Sequence, residues 1–507
     1  MVSTQRFNTV PICASATRFG LHRKGDKMIA FVKHLERQNR WLGLSLTLAV
    51  AAAMSAPEQA LAQDEGDMVL EEIMVTAQRR EESLQDVPVS VSAFTGANLE
   101  KAGIREATEY LVMTPNVGFS EDGEGGSRSV NIAIRGVSNI ALDGVAAANS
   151  IGYYIDEMSV GAVAQGTINP QLQDMERIEV LRGPQGTFFG RNAVGGAINI
   201  TTRKPEDTFF FEGSAMAGNF GSWGLEGIIN VPFSEKFMAR AVVGIEESDT
   251  AITNINPTGN SPFYEYQTAR VSFRALPSDR VTLDLSITQT NEDEGGDIAI
   301  PSGVLDLDTI DTFGFGSPFD AIDTGPGFYP SNDDTIDRDT KEWNEKEFTI
   351  INGRVTVDWD TVQLKSITGF IDSGFKRGSD LDGISLEIGP LPLRRVNDYS
   401  AESFTQELRL QSTQGDKIDW TVGFFYAKDE FDTDNDIQIL PKDTGANGDP
   451  VAFINQNSRQ FEFETQALFA DINWHVSDTV DIIVGGRYSE AEVSAVDDDS
   501  NRDAAVN

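Results

Sequence analysis

Residues able to do covalent or metal chemistry are scarce in this chain. Its 507 residues include one cysteine, Cys13, and three histidines, His22, His34 and His475. A Ser-His-Asp relay needs an imidazole beside its nucleophile, and only His475 lies outside the N-terminal region. It sits in Asn473-Trp-His-Val-Ser-Asp478, which reads as a turn after a strand and suits a solvated histidine better than a catalytic one. No nucleophile elbow is present. The glycine-rich run from Met175 to Pro205 could cradle a phosphate, but it lacks the Gly-Lys-Ser/Thr ending of a P-loop. Residues 292–345 carry Asp306, Asp308, Asp311, Asp333 and Asp334 among other acids. Oxygen donors of this kind suit divalent cations, but EF-hand spacing is missing and solubility is the simpler role. Phe313, Phe315, Phe319 and Phe328 in the same stretch would contact an apolar substrate or pack the loop on itself. The expectation is no catalytic residue, no metal site, no cofactor and no enzyme.

Charge narrows the partners. The chain has 79 acidic and 40 basic residues, a formal charge of −39, which disfavours nucleic acid because phosphate binding needs a basic surface. Outside the N-terminal region no apolar run is long enough for a spanning helix, so a membrane protein of this sequence has to be a β-barrel. Lys33, Arg37 and Arg40 precede the apolar segment from Trp41 to Ala56, and Ala60-Leu61-Ala62 gives a cleavage site before Gln63. This reads as a secretory signal peptide, with translation starting at Met28. Its removal would take away Cys13, His22 and His34.

The elements that would position any site come next. Gln63 to Met68 is polar and reads as disordered. Ile73-Met74-Val75-Thr76-Ala77 follows among charges and reads as a short extended segment with no partner strand of its own, or as an ordinary linker with two β-branched residues. Val87 to Phe94 alternates as a strand. Leu99, Ile104, Ala107 and Leu111 share one helical face, and Thr114-Pro115-Asn116 ends that helix. Val130 to Ile134 is a strand running into Arg135-Gly136, and Gly152 to Glu157 is a strand running into a turn. The irregular segments 120–129 and 138–150 between them read as solvated loops or as substrate-facing apices. Ile178 to Leu181 and Ala197 to Thr201 are strands, and Gly183, Gly186, Gly190, Gly195 and Gly196 between them let backbone pass close to backbone.

After Pro205 the texture changes. Val281, Leu283, Leu285 and Ile287 interleave with Thr282, Asp284, Ser286 and Thr288; stretches at 237–246 and 480–489 alternate the same way. Turns at 232–236, 276–280, 359–361, 413–417 and 475–479 are short. Connections near 247–262, 292–345, 375–402 and 432–459 are long, and a further one opens at 491. Short turns on one side and long loops on the other are an outer-membrane barrel signature. On this phasing Phe404, Leu408 and Leu410 face lipid, while Thr405, Glu407, Arg409 and Gln411 face the lumen.

In this order the pieces resemble the plug and barrel of TonB-dependent outer-membrane receptors. The resemblance implies an α+β plug domain followed by antiparallel transmembrane β-strands. Its boundaries would be 1–62 for an N-terminal extension and signal peptide, 63–82 for a flexible segment, 83–205 for the plug and 206–507 for barrel. Ile73 to Ala77 would be the TonB box, which pairs by strand addition with TonB and its inner-membrane energising complex. Arg135 and Arg182 would tether plug to wall through buried carboxylates, with Glu407 a candidate partner, or would cap local carbonyls. Roughly eleven strands are readable where plugged transporters have about 22, so the chain reads as the first part of a longer receptor. The implied function is active import of a ferric siderophore-like complex or other large nutrient, without a signalling domain. A passive porin or surface-binding barrel is the alternative reading. The implied surroundings are outer-membrane lipid, with substrate arriving from outside.

Overall fold

The computed structural model describes residues 73–76, 79–80, 82–85, 87–121, 130–138, 150–160, 172–190, 193–296, 335–336, 338–380, 393–413, 415, 417–440, 450, 452–477 and 479–498. The signal peptide, Ala77 and the aspartates and phenylalanines named in residues 292–345 lie outside them.

The first part is a small α+β unit. Strands β1 (Met74–Val75) and β2 (Glu82–Ser83) form a two-stranded antiparallel pair. Next come β3 (Val91–Thr95), α1 (Gly96–Ala102), α2 (Ala107–Val112), β4 (Val117–Glu121), β5 (Val130–Ile134), β6 (Val137–Ser138), β7 (Ile151–Ile155) and β8 (Met158–Ser159). The unit ends with β9 (Met175–Arg182), α3 (Gly186–Phe189) and β10 (Gly196–Thr202). A five-stranded sheet of order β3-β9-β10-β7-β8 forms its centre; β10 runs parallel to β7 and antiparallel to β9. Every residue of β10 is buried. Its start explains one glycine, because a Cβ on Gly196 would collide with the Leu181 carbonyl oxygen of the neighbouring strand.

The single helix expected over 99–111 is two. Gly103, at φ 70°, caps α1 in the left-handed region, and its N–H bonds back into that helix. Glu106 and Glu109 then form a capping box that restarts the chain as α2. The apolar face survives the break, because Leu99, Ile104, Ala107 and Leu111 are all buried in one cluster with the sheet.

The second part is an eleven-stranded, all-antiparallel sheet. Its strands in order are β11 (Phe210–Ala217), β12 (Trp223–Ser234), β13 (Phe237–Asp249), β15 (Phe263–Ser278), β16 (Val281–Glu294), β18 (Trp343–Asp358), β19 (Val362–Asp380), β20 (Leu393–Ser412), β21 (Ile418–Ile439), β22 (Ala452–Ser477) and β23 (Val480–Asp498). The short strands β14 (Thr253–Asn254) and β17 (Thr335–Ile336) pair separately, joining two loops. The sheet is not closed, since β11 and β23 each pair on one side only. Outward positions form an apolar band, with Leu283, Leu285, Ile287, Val355, Leu408, Val422 and Ile472 between 37% and 48% exposed. Phe237 stacks between Phe233 and Phe273 at 5.6 and 6.1 Å beside a short turn, an aromatic girdle at one edge of that band.

The loops expected at 375–402 and 432–459 are largely strand, because β19 runs to Asp380 and β22 begins at Ala452. Beyond the apolar band the outward face turns polar, with Asp372, Glu402, Glu430 and Glu462 in one row. Period-two hydrophobicity therefore disappears from the sequence while backbone pairing continues. Leu285→Arg, in the middle of the band, should cost about 2–4 kcal/mol. Urea unfolding of the chain in lipid vesicles measures it, with Ser286→Thr on the opposite face as the silent control.

Candidate functional site

The segment around Met74 and Val75, expected as a TonB box, is not a free tail in this structure. Val75 is fully buried against Tyr154, Leu181, Phe189 and Ala197, and β1 has a partner in β2, contrary to the expectation of a strand without one. The reason lies next door, since Leu84, Val87, Val89 and Val91 extend the apolar patch that Ile73 and Val75 join. Glu179 on β9, itself fully buried, accepts from the Thr76 backbone N–H at 2.8 Å and from its hydroxyl at 3.1 Å. Asn199 on β10 donates to the same hydroxyl at 3.0 Å. The segment is thus stitched through Thr76 to β9 and β10 of the plug sheet. Met74 remains 39% exposed.

Two arginines follow at once. The Arg79 guanidinium lies over the rings of Tyr154 and Phe189, 4.6 and 4.4 Å from their centroids. It donates to the Glu157 carbonyl and stands 4.0 Å from Glu407 on β20. Arg409, two positions along β20, donates to the Arg79 carbonyl at 2.8 Å and to Glu407 at 3.0 Å. Arg80 pairs with Asp419 at 3.2 Å and bonds Ser412, Thr421 and the Trp420 carbonyl. His475 joins this rim, with one ring nitrogen 3.1 Å from Asp419 and the other 2.8 Å from Asp481. The isolated turn histidine read from the sequence therefore bridges three strands.

Deeper in the wall the plug supplies carboxylates and the wall supplies cations. Asp156 and Glu157 form the β7–β8 turn with φ 50° and 67°, which aims Glu157 at the wall and leaves Asp156 bonded within the plug. Glu157 meets Arg409 at 2.8 Å and both Arg354 and Lys365 at 3.4 Å. Asp156 takes the Thr202 N–H and hydroxyl and pairs with Lys204. A second anchor is Asp174, at φ 54°, bound by Arg240 at 2.7 Å and Arg270 at 3.2 Å. All these groups are buried or nearly so. Burial alone would push the Glu157 carboxyl up; Lys365, Arg409, Arg354 and Arg79 reverse this and hold it well below the usual range.

Arg135 and Arg182, expected as wall tethers, stand elsewhere. Arg182 donates to the Pro115 carbonyl at 3.1 Å, inside the plug, which is the local capping alternative. Arg135 is exposed, and its guanidinium crosses Gly183 so closely that a Cβ there would meet Nη1 at 2.8 Å. Gly183 itself sits at φ 107°. Among the described residues neither arginine has a recorded contact with the wall. Glu407 does stand near an arginine from before the plug, Arg79, at 4.0 Å. Gly136 and Gly190 also take positive φ, 82° and 76°, Gly186 opens α3, and Gly195 packs against Val137 and Ile151. The missed residues had a signal in the sequence: Arg240, Arg270, Arg354 and Arg409 are basic residues on the lumen phase of strands.

The comparisons with known proteins fit this arrangement. The sequence model of the TonB-dependent receptor plug domain matches residues 83–197, and that of the TonB-dependent receptor-like β-barrel matches residues 278–507. Together they span more than half of the chain. This chain belongs to the TonB-dependent receptors. That family is made of receptors and transporters of the Gram-negative outer membrane, not enzymes. An iron-regulated outer membrane virulence protein of Vibrio cholerae is 35% identical over 167 residues, 32% of this chain and 24% of that protein. The ferrioxamine B receptor of Salmonella typhimurium is 23% identical over 434 residues, 81% of this chain and 56% of that protein. The fold resembles the ferric yersiniabactin uptake receptor FyuA of Yersinia pestis, with TM-score 0.59, 17% identity, and coverage of 80% of this chain and 61% of that one. The chain thus spans about a quarter to just over half of these curated relatives.

Two outcomes follow from the stitching. A thiol at Val75→Cys should label with maleimide far more slowly than one at Met74→Cys, and Glu179→Gln should speed the former by roughly tenfold, the worth of one charge-assisted hydrogen bond. The depressed folded-state value of Glu157 means its stabilisation is complete above the ordinary carboxyl value of about 4.3 and is lost as pH falls through the lower folded value. Melting of the plug should therefore show no pH dependence from Glu157 between about pH 7 and 5, and Glu157→Gln should lower it throughout that range by the equivalent of about 3–5 kcal/mol.

Proposed function

We propose that this chain belongs to a machine for TonB-dependent active uptake of a scarce substrate, such as a ferric siderophore-like complex or another large nutrient. Substrate enters from outside, TonB pairs with the segment 73–77, and a pull on it rearranges the plug. Residues 83–205 act as the plug and residues 206–507 as barrel wall. One observation carries this reading. The segment in the TonB-box position is fastened through Thr76 to Glu179 and Asn199 on the two central plug strands, so force applied there is delivered to the centre of the plug sheet.

Several of the relatives are named for such substrates, including ferrioxamine B, catecholate siderophores and vitamin B12. The passive-pore reading fits less well, because a packed five-stranded sheet is bolted to the wall by Glu157 and Asp174. Uptake of candidate iron complexes and cobalamin by cells carrying the receptor tests the proposal. Deleting residues 73–77 or removing TonB should reduce accumulation to the level of a receptor knockout while substrate binding persists. Undiminished accumulation in either background would sink TonB coupling and favour the passive pore.

A further inference from the structure

One carboxylate at the short-turn end of the wall serves two cations. Asp419, near the start of β21, faces Arg80 at 3.2 Å through Oδ1 and His475 at 3.1 Å through Oδ2. Oδ1 also accepts the Gly415 N–H at 3.0 Å and the Ser412 hydroxyl at 3.2 Å. The second ring nitrogen of His475 lies 2.8 Å from Asp481 on β23. An ionised carboxylate can only accept, and a neutral imidazole has one N–H to give. The imidazolium alone therefore satisfies both ring contacts together. Loss of its proton sets a nitrogen lone pair against a carboxylate oxygen, and one contact fails.

Among the described residues, the charged groups about the ring come from each element packed there. Asp419 faces it from β21, Asp481 from β23 and, across Asp419, Arg80 from the segment before the plug. Lys417, whose carbonyl accepts the His475 N–H at 2.9 Å, is exposed. Asp471, on the same strand as the ring, pairs in register with Thr421, which Arg80 also binds. The His475 side chain is 29% exposed, against 14% for Arg80 and 12% for Asp419, so solvent protons reach the ring while the neighbouring pair is shielded. Arg80 stays charged throughout the histidine range. Two cations on one carboxylate repel, so a docked Arg80 disfavours the proton on His475. Linkage is reciprocal: the proton must weaken the hold on Arg80 by the same factor. The Arg80 bonds to Ser412, Thr421 and the Trp420 carbonyl have no partner that titrates in this range, so the weakening is partial.

We propose that His475 is a proton-controlled positioning residue for the root of the segment 73–80: its protonation loosens Arg80 from Asp419, and its deprotonation tightens that clamp. The inference rests on the uptake reading above, in which a pull on this segment opens the plug, and adds a setting of that pull by acidity on the short-turn, periplasmic side. The loosened state binds the proton more tightly than the clamped one. It therefore grows as pH falls through the histidine range and levels off below the midpoint of the clamped state.

The test is a titration of the folded, protease-resistant receptor in detergent micelles, with carbon-13 in the histidine rings. The His475 signal is identified by its loss in His475→Gln. Arg80→Gln should raise its midpoint by about half a pH unit, equivalent to about threefold in release of the clamp. Arg80→Lys, which keeps the charge, should leave the midpoint close to that of the parent, and Asp481→Asn should lower it. The second readout is maleimide labelling of Val75→Cys, expressed relative to Met74→Cys at the same pH to cancel thiol ionisation. That ratio should be about threefold higher at about pH 5.5 than at about pH 8.5. The rise should be absent from His475→Gln and from Arg80→Gln. An unchanged or lowered midpoint in Arg80→Gln, or an undiminished rise in His475→Gln, would overturn the switch. Neither readout uses TonB, so such a failure leaves the uptake reading standing; uptake that persists without TonB would fail that reading instead.

Discussion

A strand in lipid has no water with which to satisfy its backbone, and that constraint governs the rest of this molecule. Each N–H and C=O in the apolar band must bond to a neighbouring strand, which produces the long antiparallel ladders from β11 to β23. Pairing of that kind leaves only side chains free to vary, and they alternate between a lipid face and an interior face. The interior face mixes polar and charged residues with an apolar patch of Phe348, Ile350, Ile367 and Ile371 that packs on the plug core, so the plug is held by ion pairs as well as by apolar packing. Glu157 among Arg354, Lys365 and Arg409, and Asp174 between Arg240 and Arg270, are the resulting fastenings. Buried charges of this sort add little net stability over apolar packing but cost heavily when half-removed. They define one seating for the plug.

Much of the architecture was legible in the sequence because alternation and short turns are local. Phe404 and Leu408 are exposed on the lipid face while Thr405, Glu407 and Arg409 are buried, as the phase required. The limits of strands were less readable. A tilted spanning strand needs about 9–11 residues, yet β19 to β22 hold 19 to 26. Their surplus stands outside lipid, where nothing enforces an apolar side. The helix break at Gly103 was equally hidden, since the apolar spacing continues across it.

The site was harder to read than the fold. Which arginine meets the wall depends on how turns aim side chains, and the decisive turns take left-handed backbone at Asp156, Glu157 and Asp174. None of these is a glycine, so composition gave no warning. Arg79 and Arg80 stand in the sequence only as charges beside a short extended segment. Their burial follows from a contact more than 300 residues away, with Arg409 and Asp419. Long-range pairings of this kind leave no periodic trace.

The order of fastenings behind Met74 has a mechanical meaning. A load entering at that residue meets two strand pairings, Met74 with Ser83 and Val75 with Glu82, before the Thr76 bonds to Glu179 and then the double arginine clamp. Bonds loaded one after another along a chain rupture singly, like a zip, whereas those sharing a load must fail together. Arg79 and Arg80 engage at least six partners between them on β7, β8, β20 and β21 or their joining turns. The segment is therefore graded, weak at its tip and strong at its root. Small tension exposes the tip alone, and only sustained tension reaches the wall.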